Sequence, residues 1–156
     1  MTAIETRWLS PAEVLSESPR LLEVSCSAKA SWGYAPDFMA RFRDLMRVGL
    51  ATPGLHIVVA HEGAKLLGFA GLRARPNVAW LDDLWVEPEF HGRGHGRTLF
   101  AAACDWARES GFARLECEAD SHAEEFYAHL GMTRYAERRS DLDAGRTLPL
   151  MRLELV

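Results

Sequence analysis

Two hydrophobic periodicities alternate along this chain. Apolar residues at every second position predict strands, whereas apolar residues three or four positions apart, such as Phe38, Phe42 and Met46, predict helices with one buried side. Clusters of Gly, Pro and Asn separate these stretches. In chain order the predicted elements are an edge strand at 4–9, helices at about 20–30 and 36–47, strands at 55–60, 66–72 and 78–86, a helix at 94–110, a strand at 113–118, a short helix ending at 130, and strands at 133–139 and 150–155. This order predicts an α/β protein with a mixed (α+β) sheet.

The middle of the chain predicts one parallel strand pair. Strand 78–86, helix 94–110 and strand 113–118 form a βαβ passage, which joins its two strands by a right-handed crossover. Ser10 followed by Pro11 has the residue types of a further helix start, and Asp120 or Ser121 can cap the short helix. Strands 55–60 and 66–72, joined by a turn at Glu62 and Gly63, are predicted to form a hairpin.

The stretch between the predicted parallel strand and its helix favours anion binding. Gly92, Gly94 and Gly96 remove side chains from three alternate positions, so backbone N–H groups can approach a ligand without obstruction. The start of the next helix adds the positive end of its dipole. The remaining side chains add charge or hydrogen-bond donors: His91, Arg93, His95 and Arg97. We call residues 91–97 the glycine loop.

Two well-known nucleotide-binding patterns do not fit the glycine loop. The dinucleotide fingerprint G-x-G-x-x-G needs a glycine three positions after Gly94, where the chain has Arg97. A Walker loop would end in Gly-Lys-Ser/Thr, which this chain lacks. From composition alone, a flexible surface loop rich in glycine and arginine is the alternative interpretation.

Composition excludes several classes of protein. A length of 156 residues fits one domain over residues 1–156, and a net charge of −4 argues against nucleic-acid binding. The three cysteines do not have the spacing of a disulfide framework, so we expect buried thiols. No apolar run approaches the roughly 20 residues of a membrane span, and the first residues lack a signal-peptide core, so we expect a cytoplasmic protein that does not bind membranes.

No metal site is predicted, although histidine and cysteine occur in two places where one could be imagined. His91 and His95, with Cys104 nearby, are of metal-ligand type, as are His122 and His129. The first histidine pair spans a glycine turn rather than one helix face, and the chain contains neither Cys-x-x-Cys nor His-Glu-x-x-His.

Two stretches resemble motifs of the GNAT N-acetyltransferase family. Residues 91–96 (His-Gly-Arg-Gly-His-Gly) are similar to its pyrophosphate-binding pattern Gln/Arg-x-x-Gly-x-Gly/Ala, with His91 as the one departure. Residues 120–132 resemble the family's Asn-x-x-Ala-x-x-Phe-Tyr-x-x-x-Gly-Phe, with Asp120 for Asn and Met132 for Phe. The matching positions of the second motif are Ala123, Phe126, Tyr127 and Gly131. Both motifs occur in the family's order, and the resemblance covers roughly residues 55–135.

The resemblance implies an acyltransferase fold with a mostly antiparallel central sheet, one parallel splayed strand pair and flanking helices. It implies direct acetyl transfer from acetyl-coenzyme A to an amine in a ternary complex. Tyr127 stands where family members have the acid that protonates the departing thiolate, and backbone amides at 84–86 would meet the pantetheine arm. The implied cofactor-binding residues are Leu84, Trp85, Val86, His91, Gly92, Arg93, Gly94, His95, Gly96, Arg97, Ala123 and Tyr127.

The base that accepts the amine proton is predicted from strand geometry. Asp82 and Asp83 are adjacent on a predicted strand, so their side chains should point to opposite faces and at most one should enter the cleft. By parity with Leu84 and Val86 we favour Asp82, acting through a chain of water molecules. Glu118 is a third candidate, and a solvated or capping carboxylate is the alternative interpretation of each.

The expected acceptor is a primary amine of a small molecule or peptide. Trp32, Tyr34 and Trp85 are candidate walls of its pocket, and Arg146 or Arg139 is a candidate for binding a carboxylate on it. Core packing and surface charge are the alternatives for these residues. A homodimer is compatible with the resemblance. A non-catalytic acyl-coenzyme A sensor is the alternative to an enzyme, because both would use the glycine loop.

Overall fold

The computed structural model describes residues 3–155 and has one seven-stranded mixed sheet at its centre. The elements in chain order are β1 (Ile4–Trp8), α1 (Pro11–Ala30), α2 (Pro36–Ala51), β2 (His56–Glu62), β3 (Lys65–Arg75), β4 (Val78–Val86), α3 (His95–Glu109), β5 (Arg114–Glu118), α4 (Glu124–His129), β6 (Thr133–Arg139) and β7 (Thr147–Glu154). The strand order is β1-β2-β3-β4-β5-β7-β6, and every neighbouring pair is antiparallel except β4 and β5. The predicted mixed fold with one parallel pair is confirmed.

Helix α1 is longer than the sequence pattern indicates. Ser10 and Glu13 form a capping box, in which each side chain accepts a hydrogen bond from the other residue's backbone N–H. The helix then runs for 20 residues with Pro19 inside it. The predicted helix start at Ser10 and the predicted helix at 20–30 are therefore one helix, because its apolar side continues across the proline and tertiary packing outweighs the lost backbone hydrogen bond.

The β3–β4 hairpin is also longer than predicted. The strands predicted at 66–72 and 78–86 leave residues 73–77 as a turn, but only Pro76 and Asn77 lie outside the strands, and Asn77 adopts a positive φ of 66°. Arg73 consequently lies in β3 directly opposite Trp80 of β4. Since residues two apart on a strand share a face, Arg75 lies on that same face.

Two apolar cores lie on opposite faces of the sheet. Helices α1 and α2 cover β2, β3 and part of β4 on one face, around Leu21, Ile57 and Phe69. Helices α3 and α4 cover the other face, around Leu99 and Leu115. The three cysteines are buried free thiols, as predicted. Within residues 3–155, none of the helices has the length and apolar character needed to cross a membrane.

Strands β4 and β5 separate soon after they meet. They pair only at Ala79 with Leu115 and at Trp80 with Glu116, although β4 continues to Val86 and β5 to Glu118. In the described chain, no strand fills the space between residues 81–86 and 117–119, which we call the β4–β5 wedge. The predicted splayed pair is confirmed, and the wedge ends at the glycine loop.

Candidate functional site

The glycine loop leads from the end of β4 into α3. His91 Nε2 lies 2.7 Å from the carbonyl oxygen of Val86, which ties the start of the loop to the strand. Gly92 and Gly94 have φ of 77° and 84°, and a Cβ at either position would have no atom within 4 Å. Helix α3 begins at His95, with Gly94 as its N-cap. Both left-handed glycines therefore turn the backbone at an open surface.

Six consecutive backbone N–H groups, from Gly92 to Arg97, have no acceptor within residues 3–155. The N–H before them, of His91, donates to Pro88, and the N–H after them, of Thr98, donates to Gly94. Unpaired N–H groups at a helix N-terminus carry partial positive charge and attract anions. The loop therefore offers unpaired main-chain donors to an anion.

Gly96 has a second role that the sequence did not predict. It lies in the first turn of α3, and a Cβ there would lie 3.0 Å from Cζ of Phe126, on α4. That distance is too short for an unstrained contact, so the missing side chain lets Phe126 pack against α3. The two motifs are therefore in direct contact.

Tyr127 of α4 is buried on the α3 side of the sheet. Its ring lies 6.2 Å from that of Phe100, in the core that Leu84 and Val86 of β4 also join. Burial, with a smaller contribution from Asp83 among other groups, raises the pKa of Tyr127 well above 10. Within the described residues, its hydroxyl has no hydrogen-bond partner. Tyr127 is thus a neutral phenol whose O–H is free to donate.

A β-bulge changes the predicted orientation of the two adjacent aspartates. Gly71 pairs with Asp83 and Leu72 with Leu81, which leaves Asp82 as the extra residue of β4. Because a bulge interrupts the alternation of faces, Asp82 and Asp83 both line one cavity on the α2 side. Two expectations are therefore wrong. Both aspartate side chains, and not only one, line the cavity, and Asp82 does not share a face with Leu84 and Val86.

The two aspartates have different surroundings. A carboxylate oxygen of Asp82 lies 2.8 Å from Nε of Arg73, whose guanidinium also donates to backbone carbonyls at the end of α2. Asp83 is buried and accepts one hydrogen bond, 3.2 Å long, from the indole N–H of Trp85. Burial, and next the charge of Asp82, raises the pKa of Asp83 to about 7. Asp83 can therefore gain and lose a proton near neutral pH.

The cavity on the α2 side has a volume of about 910 Å³. Its walls are α2, β4, β5, β6, β7 and the loop before β7, and they include Trp85, Glu118 and Arg146 among the predicted residues. Trp32 and Tyr34 lie outside the lining. The ring of Trp32 stacks on His122 at 5.3 Å and lies 6.1 Å from the ring of Trp85. Trp32 therefore packs against a lining residue without lining the cavity itself.

An ion pair that the sequence analysis missed closes one end of this cavity. Nζ of Lys29 lies 2.5 Å from Asp120 Oδ2, which also accepts a 2.7 Å hydrogen bond from Tyr34. The Tyr34 hydroxyl in turn accepts a 2.6 Å hydrogen bond from Arg146. Five aromatic rings surround the ammonium at 5.0–5.9 Å: Trp32, Tyr34, Phe38, Phe42 and Trp85. The available sequence signal was an Asp at position 120 where the resembling motif has Asn.

The Lys29–Asp120 pair holds α1 against the turn before α4. Their side chains are 9% and 5% exposed. Burial alone would raise the pKa of Asp120, but the hydrogen bond and charge of Lys29 hold it well below its usual range. Burial lowers the pKa of Lys29, and the pairing opposes that shift.

Replacing Lys29 with methionine is expected to destabilise the protein by up to about 3–5 kcal/mol, because it removes the closest cation from the buried Asp120 carboxylate and leaves only Arg146, 3.7 Å away. The double variant Lys29→Met/Asp120→Asn should recover most of that loss, since the asparagine is neutral and can still accept from Tyr34. Urea unfolding of both variants at pH 7 measures the difference. Equal destabilisation by the single and double variants would contradict the ion-pair explanation.

Three of the four histidines considered as metal ligands have other partners, and for His91 the partner is the carbonyl oxygen of Val86. Nδ1 of His122 lies 2.8 Å from Asp120, and Nδ1 of His129 lies 2.9 Å from the carbonyl oxygen of Glu125. Over residues 3–155, no group of three or more His, Cys, Asp or Glu side chains is arranged to hold a metal ion.

Comparison with known proteins gives concordant similarities. The Acetyltransferase (GNAT) family profile matches residues 19–132. The chain is 36% identical to N-alpha-acetyltransferase RimI of Mycobacterium tuberculosis over 95 residues, which are 58% of this chain and 60% of that protein. It is 25% identical to the type 1 aminoglycoside N(6')-acetyltransferase of Stenotrophomonas maltophilia over 130 residues, 74% of this chain and 84% of that protein. The PaiA N-acetyltransferase of Thermoplasma acidophilum, solved with coenzyme A, superposes with a TM-score of 0.76 at 18% identity, covering 97% and 99% of the two chains.

Proposed function

The chain belongs to the acetyltransferase (GNAT) family, and from that premise we propose that it transfers the acetyl group of acetyl-coenzyme A to a primary amine. The observation that carries the proposal is the run of six unpaired backbone N–H groups at the start of α3. They lie at the end of a wedge in the sheet, and the cavity adjoins the same strand. The arrangement offers one site for a diphosphate and another for an acceptor.

The residues present fit acetyl-coenzyme A, which supplies a thioester carbonyl open to attack by an amine. The glycine loop would hold the diphosphate, and the main chain of Leu84, Trp85 and Val86 would hold the pantetheine arm where β4 has no partner on the wedge side. Ala123 ends the turn before α4 and packs against the α3 core, and its proposed contact with the arm rests on the family motif that it matches.

Acid and base reach the wedge from opposite faces of the sheet. Asp83 faces the cavity on the α2 side and Tyr127 the core on the α3 side, and the wedge is the opening between them. Asp83 accepts a proton from the acceptor amine, whose nitrogen then forms the new C–N bond. Tyr127 donates a proton to the sulfur as the C–S bond breaks, and the second proton of the nitrogen passes to the tyrosine oxygen, which restores the phenol. Asp82 and Glu118 are held by Arg73 and Arg138 and are less suited to this role.

An Asp83→Asn variant is expected to lose about 100-fold in kcat/KM at pH 7, because the base is removed. In the wild type, kcat/KM should rise with pH and level off above about pH 7, where Asp83 is ionised. The variant should lack the rise in kcat/KM that follows ionisation of Asp83. Its kcat/KM should approach that of the wild type at higher pH, because the amine then loses its proton without a base. An identical pH profile in both proteins would exclude Asp83.

The same substitution should raise the stability of the folded protein at high pH, although it lowers activity. The pKa of Asp83 is raised from 3.8 to about 7 in the folded protein, so its contribution favours folding below about pH 4 and is lost as pH rises through 7. Asp83→Asn should therefore stabilise the protein at pH 8 and have little effect at pH 4. Thermal unfolding at the two pH values serves as the control for folding.

A turnover assay distinguishes an acetyltransferase from a non-catalytic acyl-coenzyme A sensor. Free thiol released from acetyl-coenzyme A is measured across a panel of primary amines, with cofactor binding measured by calorimetry. Binding of the cofactor without thiol release for any amine would favour the sensor and contradict the proposal. One relative is named an N-alpha-acetyltransferase and the other an aminoglycoside N(6')-acetyltransferase, so relationship alone does not select an acceptor.

A further inference from the structure

Most charged side chains that line the cavity neutralise one another. Each of five lining carboxylates has an Arg or Lys nitrogen within 4 Å: Asp82, Glu116, Glu118, Asp120 and Asp141. Three lining cations likewise have a carboxylate within that distance: Lys29, Arg138 and Arg146. These charges are satisfied by the protein and have little left to offer a ligand.

Two lining charges are left over within residues 3–155, and they have opposite signs. Asp83 has the Trp85 indole N–H as its hydrogen-bond partner and no Arg or Lys within 4 Å. Arg75 also lines the cavity, and it has neither a carboxylate within 4 Å nor a hydrogen-bond acceptor. An uncompensated carboxyl group and an uncompensated guanidinium therefore face the same space.

Arg75 is solvent-exposed, and its guanidinium packs on an aromatic ring rather than forming an ion pair. Its Cζ lies 3.8 Å from the ring centroid of Trp80, a close cation–π contact. Both residues lie on the face of the β3–β4 hairpin that also carries the two aspartates. A guanidinium that packs in this way can bind a carboxylate with little loss of side-chain freedom, and its planar set of donors matches the two carboxylate oxygens.

The same cavity also has an apolar wall. Phe42, Leu45 and Met46 of α2 line the cavity, and Leu45 is 49% exposed. A ligand that covered Leu45 would remove apolar surface from water, which favours binding.

We infer that the acceptor is a small zwitterionic amine, whose amino group lies at Asp83, whose carboxylate binds Arg75 and whose apolar portion packs on α2. This inference rests on the proposed acetyltransfer and adds the substrate class. It also replaces the sequence-based expectation for Arg146. That side chain is engaged by the Tyr34 hydroxyl at 2.6 Å and lies 3.7 Å from Asp120, so Arg75 is the better carboxylate ligand.

A homologous series of ω-amino carboxylic acids tests the inference, with each acid compared with its own carboxamide. The wild type should acetylate the best acid at least 10-fold more efficiently than its amide. In Arg75→Gln, kcat/KM for that acid should fall by about 10- to 100-fold, mainly through KM, because a charged hydrogen bond is lost. The amide should be acetylated as before. Arg75→Lys should retain part of the preference, since it keeps the charge without the fork.

Arg47→Gln is the matched control, because it removes one positive charge from α2 outside the cavity lining. It should leave the acid and amide rates unchanged. Equal use of acids and amides by the wild type would overturn the inference, and so would an equal loss for both in Arg75→Gln; in either case acetyltransfer itself would stand. If no amine of either series releases thiol although the cofactor binds, the inference fails; the proposed function fails only if the wider panel of primary amines also releases no thiol.

Discussion

Replacing Gly94 with aspartate is expected to weaken coenzyme A binding at least about 100-fold, or roughly 3 kcal/mol. Gly94 has a φ of 84° and no atom within 4 Å of an added Cβ, so the new side chain would occupy the open surface above the unpaired amides. Its carboxylate would compete with the diphosphate for those N–H groups and repel its charge. The fold should survive, because aspartate tolerates the left-handed region better than most residues and a negative charge suits a helix N-terminus.

The measurement is calorimetric titration with coenzyme A, together with the thermal midpoint of the free protein. Gly111→Asp is a matched control, since Gly111 has a similar φ of 86° and equally open space but lies beyond the other end of α3. It carries the same backbone strain and should leave affinity unchanged. Unaltered affinity in Gly94→Asp would show that the loop does not hold the diphosphate.

Tyr127→Phe is expected to lower kcat by about 10²- to 10⁴-fold, because it removes the acid that protonates the departing sulfur. Affinity for coenzyme A should stay within about twofold, since the ring and its packing against Phe100 are kept. Folding should also be unaffected, because the hydroxyl has no hydrogen-bond partner in the described part of the chain. Loss of turnover would therefore not be a secondary effect of instability.

Steady-state kinetics with the best amine of the panel measures this effect, and unfolding of the same preparation provides the control. Because burial raises the pKa of Tyr127 well above 10, the wild type should show no loss of activity from tyrosine ionisation up to about pH 10. Turnover close to wild type in Tyr127→Phe would remove the residue from the mechanism and leave water as the proton source.

The sequence predicts the local features of this protein well because they depend on neighbouring residues. The glycine loop and the cap at Asp120, which accepts the N–H of His122, were evident from residue types alone. The parallel pair followed from the order of elements. These features need no knowledge of what packs against them.

What the sequence did not show depends on distant contacts. The bulge at Asp82 arises from pairing with β3, and strand alternation alone led to the wrong face for that residue. Lys29 reaches Asp120 across 91 positions of sequence, so neither residue reveals the other in a local pattern. Arg75 was placed in a turn, where stacking on Trp80 could not be anticipated.

The brief meeting of β4 and β5 also bears on heat tolerance. Two residue pairs form the whole ladder between β1–β4 and β5–β7, so this seam is the least reinforced line across the sheet. A ligand that binds in the β4–β5 wedge of the folded protein alone would add contacts at this seam, and the free energy of unfolding then grows with the logarithm of ligand concentration once that concentration exceeds Kd. The melting temperature of this protein should therefore report how much coenzyme A is present in its surroundings.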